Sequence, residues 1–278
     1  MGEHVREGRS HREVIGLAGC GRMGAPMLAA LHAAGFDARG YDVKPADGFG
    51  DLAPLMLPRD KFAKGLHTLI SVVRDIDQTE DVLFGAQSFS ASATLQRVII
   101  SSTLSPKYVR ALRDRLPAHV TLIDAPMSGA AIAAQERRLS FMLGGDPAEL
   151  NAAQPLFDAM GTHFHRMGPF GSGMQAKVLN NILAAANTAL TRMVLDWADQ
   201  ADLDTQALLK LMHDSSGQNW FASNFDQIEF ARDGLETDNS IAILVKDVES
   251  ALDAAPEDAD LTAPRAIQAL LRGLSARD

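Results

Sequence analysis

The chain has 278 residues, of which 46% are hydrophobic and 22% charged, and its formal net charge is -9. This length suffices for one large domain or two ordinary ones with their own cores. The acidic balance and the lack of a basic stripe argue against nucleic acid as a partner. No run approaches the roughly 20 apolar residues of a membrane-spanning helix, so the sequence predicts no membrane association.

The single cysteine, Cys20, excludes a disulfide framework within the chain. With no signal-like apolar run at the N-terminus, it predicts a reducing, cytoplasmic location. Cys20 is interpreted as a small filler residue, with some thiol reactivity expected from its place near a helix start. Residues 1–12 are polar and aperiodic, and are expected to fray. His163 and His165 alternate along a short strand without further identifiable ligands, so no metal site is predicted.

The segment after residue 13 predicts the first unit of a dinucleotide-binding fold. A strand over 14–18 leads into a glycine-rich turn, a helix over 22–34 and a second strand over 38–42. In such a turn the first glycine allows a tight bend, the second lets the backbone approach a pyrophosphate, and the third lets helix and strand pack closely. The free N–H groups of the helix start face the phosphates. The alternative is a tight turn without a ligand.

Asp42 lies 23 residues beyond Gly19, about where a carboxylate binds the ribose hydroxyls of adenosine. A carboxylate there repels a 2′-phosphate and favours NAD over NADP. Lys44 is a nearby cation that leaves NADP possible. In the alternative interpretation Asp42 only caps a strand.

Strands and helices continue to alternate as far as residue 168. Strands are predicted over 66–73, 98–101, 120–124, 139–143 and 163–167, and helices over 76–83, 106–115 and 147–160. This order predicts the α/β class, with a Rossmann-type doubly wound, mainly parallel sheet that carries helices on both faces.

Beyond Gly168 the β-branched runs end, and an all-α C-terminal domain is predicted. Its helices are expected over 173–201, 206–213, 224–232, 241–255 and 263–274. We therefore expect an NAD(P)-binding domain over 1–168 and a helical substrate and dimerisation domain over 169–278. Residues 182–195 are too apolar for a fully exposed helix, which predicts a subunit contact and a homodimer or homotetramer.

Lys177 and Asn181 lie four residues apart on the predicted helix over 173–201, and hence on one face. Both side chains can therefore reach one bound oxygen, which indicates redox chemistry on an alcohol or carbonyl. Asn180 faces elsewhere and is ranked below Asn181. In the alternative interpretation Lys177 is an ordinary exposed helix lysine.

Four motifs, in this order, resemble the signatures of the β-hydroxyacid dehydrogenases, a family that includes 3-hydroxyisobutyrate dehydrogenase and tartronate semialdehyde reductase. They are IGLAGCGRMGAPM over 15–27, SST over 101–103, DAPMSG over 124–129 and GSGMQAKVLNN over 171–181. The pair Lys246 and Asp247 is a weaker fifth match. The resemblance covers nearly the whole chain and implies an oxidoreductase that transfers a hydride between NAD(P) and a small β-hydroxyacid or semialdehyde.

The resemblance also implies the roles of individual residues. Lys177 is expected to act as general acid/base, with its pKa lowered by partial burial beside a cationic nicotinamide, and Asn181 to orient the substrate oxygen. The implied substrate-binding residues are Ser128, Gly129, Ala130, Thr103 and Asp247. The implied cofactor-binding residues are Gly19, Cys20, Gly21, Arg22, Met23, Gly24, Asp42, Val73, Arg74, Thr103 and Lys246.

The sequence departs from the family pattern at several positions. Ala130, Ile132 and Arg137 replace glycines, and Arg74 stands in a run that is usually Met-Leu-Pro-like. Asn239, eight residues before Asp247, replaces a phenylalanine, so the identity of the substrate cannot be carried over.

Two alternatives to the dehydrogenase stay open. One is an imine reductase of the same architecture, against which the lysine at 177 argues. The other is a catalytically inactive NAD(H)-binding sensor or scaffold, which the altered loop over 130–138 keeps open. Residues 215–217 and Trp220 resemble a stretch that borders the pocket in relatives, but would serve equally well as core packing.

Overall fold

The computed structural model of the chain describes residues 13–237 and 239–277, so the expected fraying of residues 1–12 falls outside the described part. In these residues a mixed, mainly parallel sheet is followed by a group of helices. The predicted fold class is confirmed, whereas the division of the chain at 168/169 stays a prediction. None of the described helices is long and apolar enough to cross a membrane.

The described sheet has eight strands: β1 (Val14–Ala18), β2 (Asp37–Tyr41), β3 (Thr68–Ser71), β4 (Arg97–Ile100), β5 (Thr121–Asp124), β6 (Met127–Ser128), β7 (Leu139–Gly144) and β8 (Gly161–Gly168). The strands β2, β1, β3, β4 and β5 lie side by side in this order and are parallel. β7 pairs antiparallel with β5 and β6 and parallel with β8.

Helices connect the strands and then form the C-terminal part of the chain. They are α1 (Gly24–Ala33), α2 (Arg59–Ala63), α3 (Ile76–Leu83), α4 (Pro106–Arg115), α5 (Ala130–Gln135), α6 (Pro147–Met160), α7 (Ser172–Gln200), α8 (Thr205–Asp214), α9 (Trp220–Ser223), α10 (Ser240–Asp253) and α11 (Thr262–Arg272). Two 3-10 helices, Ala46–Leu55 and Phe89–Ala91, complete the connections.

The two faces of the sheet are buried in two separate cores, because neighbouring residues of a strand point to opposite faces. Ile70 and Ile99 pack with α1 and α6 on one face. Leu69 and Val98 pack with α3 and α4 on the other. Both faces are thus apolar and covered, which explains the short continuous apolar runs of the strands.

Strand β1 lies between β2 and β3, so β2 and β3 lie on opposite sides of β1 and the strand order reverses there. The carboxyl ends of the parallel strands meet at one edge, and a crevice opens where the strand order reverses. Five parts of the predicted site follow strand ends at this edge: the glycine turn, Asp42, Val73, Thr103 and the segment after Asp124.

The predicted helix over 224–232 is wrong. A short helix, α9, ends at Ser223, and turns follow as far as residue 232. The segment instead forms separate turns, in which the N–H groups of Gln227 and Ala231 donate to the carbonyl oxygens of Asn224 and Ile228, at 2.9 and 3.1 Å. Its buried side chains, Phe225, Ile228 and Ala231, follow the same spacing of three residues and pack into one core.

The sequence patterns also missed short elements, namely both 3-10 helices, α2, β6 and α5. Most are too short to show a period, since β6 has only two residues and α2 five, and the longer 3-10 segment is interrupted at Gly50. Most other boundaries lie within two residues of the prediction, although β3 is shorter than expected.

Candidate active site

The glycine turn between β1 and α1 has the shape that a dinucleotide requires. A Cβ atom on Gly19 would lie 2.6 Å from the Val72 carbonyl oxygen, and one on Gly24 would lie 1.9 Å from that of Gly19. Gly21 differs, because no described atom lies within 4 Å of its Cβ position. The first and third glycines are thus required by packing, while the second leaves space for a ligand next to the backbone. The start of α1 has no side-chain cap, which suits a phosphate, so the residues present fit a dinucleotide.

Asp42 follows the end of β2 and holds the glycine turn. One carboxylate oxygen accepts a hydrogen bond from the backbone N–H of Cys20 at 2.8 Å, and the other from that of Lys44 at 3.0 Å. The side chain lies at the crevice and is only partly buried. Asp42 therefore does more than end a strand, because it fixes the turn from 22 residues away.

Four further residues of the cofactor prediction lie in the glycine turn or just after β3. The Val73 side chain comes within 2.9 Å of the Cβ position of Gly19. Arg74 is exposed, and its backbone N–H donates to Gln78 at 3.1 Å. The guanidinium of Arg22 donates to the hydroxyl of Ser240 at 3.3 Å, a contact between the glycine turn and α10. Met23 is the residue before α1.

The surroundings of Cys20 disfavour its thiolate. The side chain is buried, and burial, with a contribution from the charge of Asp42, raises the pKa of the thiol to about 12. The expectation of some reactivity from the nearby helix start is therefore wrong, because desolvation outweighs the helix. Among the described residues no group of three or more His, Cys, Asp or Glu side chains could hold a metal ion, and His163 and His165 are exposed on β8.

Lys177 lies on the buried face of α7 and is 8% exposed. Its ammonium donates a hydrogen bond to the hydroxyl of Ser128 at 2.9 Å. Burial lowers the pKa of Lys177 to about 8. The negative charge of Asp247 opposes this shift, whereas the positive charge of Lys246 adds to it. The interpretation of Lys177 as an exposed helix lysine is thus excluded, and the amine can exchange a proton near neutral pH.

A polar network joins α7 to α10 and to the sheet. The amide of Asn181 donates to one oxygen of Asp247 at 2.5 Å, and Lys246 forms an ion pair with the other at 2.8 Å. Lys246 also donates to the carbonyl oxygen of Thr103, after β4, at 2.5 Å. Asn181 and Asp247 are 5% and 3% exposed, while Asn180 faces solvent. The network thus brings Asn181, Asp247, Lys246 and Thr103 to one place.

Gly129 and Ala130 follow Ser128 and begin α5 with left-handed backbone, at φ angles of 134° and 56°. Arg137, at φ 56°, ends the same loop. Two of the positions where the sequence replaces family glycines therefore keep a conformation that glycine adopts most easily. Their side chains add strain as well as bulk to the loop beside Ser128.

Two further positions have local contacts of their own. Asn239 caps α10, because its side chain accepts from the N–H of Ala242 at 3.1 Å and donates to the Gly234 carbonyl oxygen at 2.6 Å. Asn219, which precedes Trp220, donates a hydrogen bond to Thr191 on α7. Thr191 lies ten residues beyond Asn181, and thus about 15 Å further along the helix.

Sequence reasoning passed over Asp124 as a functional residue. It stands at the end of β5, is completely buried, and accepts backbone hydrogen bonds from Gly171 and Met174 at the start of α7. The signal available in the sequence was an ionisable residue at the end of an apolar strand, four residues before the SG pair.

A dinucleotide turn at the switch point of the sheet and a buried amine held by a hydroxyl are the features of a nicotinamide-dependent oxidoreductase. Residues 14–168 match the family described as the NAD binding domain of 6-phosphogluconate dehydrogenase, and residues 171–276 match that described as NAD-binding of NADP-dependent 3-hydroxyisobutyrate dehydrogenase. The chain belongs to the β-hydroxyacid dehydrogenase family and is an NAD(P)-dependent dehydrogenase.

Individual relatives agree with this assignment. The chain is 29% identical to mitochondrial 3-hydroxyisobutyrate dehydrogenase of Rattus norvegicus over 87% of this chain and 75% of the relative. It is 33% identical to the NAD-dependent L-serine dehydrogenase of Pseudomonas aeruginosa over 74% of this chain and 71% of the relative. The structure of Mycobacterium tuberculosis 3-hydroxyisobutyrate dehydrogenase with L-serine matches with a TM-score of 0.75 and 25% identity, over 93% of this chain and 92% of that one.

Proposed function

We propose that the chain oxidises a small β-hydroxyacid to the corresponding semialdehyde, or catalyses the reverse reduction, with Lys177 as the general acid/base. The observation that carries the proposal is the buried amine of Lys177, 2.9 Å from Ser128 and with a pKa lowered to about 8. A neutral amine at this place can take the proton of a substrate hydroxyl, and the ammonium can return it. NAD(P), when bound, supplies or accepts the hydride.

The neighbouring residues are proposed to bind and orient the substrate. Asn181 is held by Asp247 at 2.5 Å, so its amide is fixed on the face that carries Lys177. Ser128 offers a hydroxyl, and Gly129 and Ala130 offer backbone N–H groups, which together suit a carboxylate. Lys246 and Thr103 join α10 to the sheet and thereby limit the access of water.

We propose NAD as the preferred cofactor, because the Asp42 carboxylate stands where a 2′-phosphate would be repelled. The glycine turn, from Gly19 to Gly24, and the residues after β3, Val73 and Arg74, are proposed to line the rest of the dinucleotide. NADP remains the alternative, since Lys44 follows Asp42 and is exposed.

We also propose a homo-oligomer with α7 at the contact between subunits. Four large apolar side chains of α7 are exposed, at spacings of four, seven and seven residues, and so share one face: Leu179, Leu183, Leu190 and Trp197. A second copy of the chain would cover this stripe. The cytoplasmic location stays a prediction, checked by fractionation of cells that produce the protein.

Turnover tests the function directly. The purified protein is given NAD⁺ or NADP⁺ with a panel of small hydroxyacids that includes 3-hydroxyisobutyrate, L-serine and L-threonate, and reduced cofactor is followed by absorbance. Oxidation of at least one β-hydroxyacid is expected. Cofactor binding without any turnover would instead support the inactive sensor. In a parallel assay with NADH or NADPH and cyclic imines, oxidation of the cofactor by an imine, with no hydroxyacid turned over, would support the imine reductase.

A further inference from the structure

We infer that Asp124 is a positioning residue for the proposed acid/base, holding the first turn of α7 against the sheet so that Lys177 is kept buried and in contact with Ser128. This inference deepens the proposed function and rests on it. Asp124 touches none of the groups proposed to bind substrate or cofactor, and acts through α7.

The contacts of Asp124 are those of a helix cap supplied from a distant segment of the chain. Its Oδ1 accepts from the N–H of Gly171 at 2.7 Å and its Oδ2 from the N–H of Met174 at 2.5 Å. Gly171 directly precedes α7, and Met174 is its third residue. The free N–H groups of a helix start are thereby satisfied by a carboxylate 47 and 50 residues away in sequence.

The surroundings leave no room for another arrangement. A Cβ on Gly144 would lie 2.1 Å from Oδ1, and one on Gly173 would lie 2.3 Å from the Met142 carbonyl oxygen and 3.0 Å from Oδ2. The helix start therefore approaches the sheet as closely as glycine allows, and the carboxylate occupies the space between β7 and α7. A change of Asp124 must move the first turn of α7.

Asp124 and Ser128 belong to one short segment, and this segment contacts the start of α7 at two points. Asp124 fixes α7 at Met174, Ser128 lies four residues after Asp124, and Lys177 lies three residues after Met174. Two hydrogen-bonded anchors thus join segment 124–128 to segment 171–177, one at each end. A shift of about 1 Å in a catalytic group can cost about 100-fold in rate, so the anchor at Asp124 affects the chemistry as well as the packing.

Lys177 and Asp124 have separate charged surroundings, which agrees with a chemical role for the first and a positioning role for the second. Lys177 faces Ser128 from β6 and Asp247 and Lys246 from α10. The carboxyl of Asp124 is near Arg110 of α4 and the backbone of α7. Burial raises the pKa of Asp124, and the N–H groups of Gly171 and Met174 oppose this shift by favouring the carboxylate.

The test uses Asp124→Asn, which keeps the shape but places an amide NH₂ against a backbone N–H. The matched control is Asp204→Asn, because Asp204 caps α8 by accepting from the N–H groups of Gln206 and Ala207, away from the site. Competitive acylation of Lys177 across a pH series, read by mass spectrometry, gives its titration midpoint without any need for turnover. We expect Asp124→Asn to move the midpoint upward by about half a pH unit or more, because a loosened turn rehydrates the amine.

Turnover provides the second measurement. Asp124→Asn should lower kcat by about 10-fold to 100-fold with little change in cofactor affinity, and should cause no further loss in a Lys177→Ala background. Asp124→Ser, which keeps one acceptor and adds no opposing donor, should move both readouts in the same direction if the asparagine variant folds poorly. An unchanged midpoint, or an equal loss of kcat in the Lys177→Ala background, would overturn the inference. If no hydroxyacid is turned over, the proposed function fails while the labelling experiment still decides this one.

Discussion

The two sides of the cleft are built from different groups. The sheet side offers mainly backbone, and its shape depends on crowded or left-handed residues such as Gly19, Gly24 and Gly129. The helical side offers side chains of α7 and α10, with Lys177 and Asp247 buried. Backbone amides bind ligands but do not exchange protons with them near neutral pH, whereas a buried amine does. Changes on the helical side should therefore alter turnover, and changes on the sheet side should alter binding or stability, except at Asp124, which acts through α7.

The largest effect is expected on the helical side, from Lys177→Ala. Turnover should fall by about 100-fold to 10,000-fold, because a general acid/base is lost, while cofactor affinity should remain nearly intact. Steady-state kinetics and a cofactor titration check both parts. Lys210→Ala, a change of an exposed lysine on α8, is the matched control and should leave both quantities unchanged. Unaltered turnover in Lys177→Ala would remove the lysine from the mechanism.

On the sheet side, Asp42→Ala should weaken NAD binding by about 10-fold to 100-fold, since hydrogen bonds to a charged group are lost. The turn also loses its contact at the Cys20 N–H, so NADP binding weakens somewhat too. The ratio of the two affinities, measured by fluorescence titration, should therefore move toward NADP. Asp47→Ala, an exposed neighbour, should change neither affinity. A parental ratio in Asp42→Ala would exclude the ribose assignment.

The pH dependence should show which group on the helical side exchanges the proton. Because burial lowers the pKa of Lys177 to about 8, kcat/KM for oxidation should rise as the pH increases through this region and the amine becomes neutral. Reduction needs the ammonium and should fall over the same range. Since the charge of Asp247 raises this pKa, Asp247→Asn should move the limb to lower pH. Glu249→Gln, exposed on the same helix, should leave it in place, and a limb that stays in place in both variants would contradict the assignment to Lys177.

The exposed face of α7 is expected to act through assembly. Leu183→Glu places a charge in the middle of the apolar stripe, since Leu183 is 65% exposed, and should shift the protein to smaller species in light scattering coupled to gel filtration. Leu203→Glu changes a leucine that is also exposed, at 52%, but lies beyond the end of α7, and should not. A monomeric parent would remove the proposed contact.

The smallest effect is expected from the strained loop on the sheet side. Ala130→Gly removes the cost of a left-handed alanine, about 1–2 kcal/mol, and adds about 0.5–1 kcal/mol of backbone entropy, so a net gain of about 0.5–1 kcal/mol is expected in the free energy of unfolding. Ala131→Gly, next in α5 but without a positive φ, should lose about as much. Denaturant unfolding measures both, and a destabilised Ala130→Gly would show that the loop carries no strain there.

Sequence patterns predicted the part of the fold that depends on local chemistry. The turn from Gly19 to Gly24, the first two strands and the capped helices α4 and α6 could be predicted because glycine, proline and the caps Ser105 and Asp146 act within a few residues. The helix over 224–232 was predicted wrongly, because the segment forms turns that bury Phe225 and Ile228 in one core with α7 and α8. No pattern within the segment contains these partners.

The candidate site divides in the same way. Lys177 and Asn181 were recognised from their spacing on one helix, and their burial on one face agrees with it. The role of Asp124 was missed, because the hydrogen bonds that define it join residues 47 and 50 positions apart. The cap that Asn239 forms on α10 was not predicted either, although its acceptor and donor lie within a few residues.

By itself, the amino-acid sequence determined the order of strands and helices, the dinucleotide turn and the presence of an amine and an amide on one helical face. These properties follow from side-chain periodicity and from the backbone freedom of glycine, which operate over a few residues. Only the tertiary structure decided that the amine is buried against Ser128, that Lys246 reaches the Thr103 carbonyl, 143 residues away, and that a carboxylate of the sheet caps α7. Desolvation and hydrogen bonding between distant segments exist only after the chain has folded, and they set the charge and position on which the proposed chemistry depends.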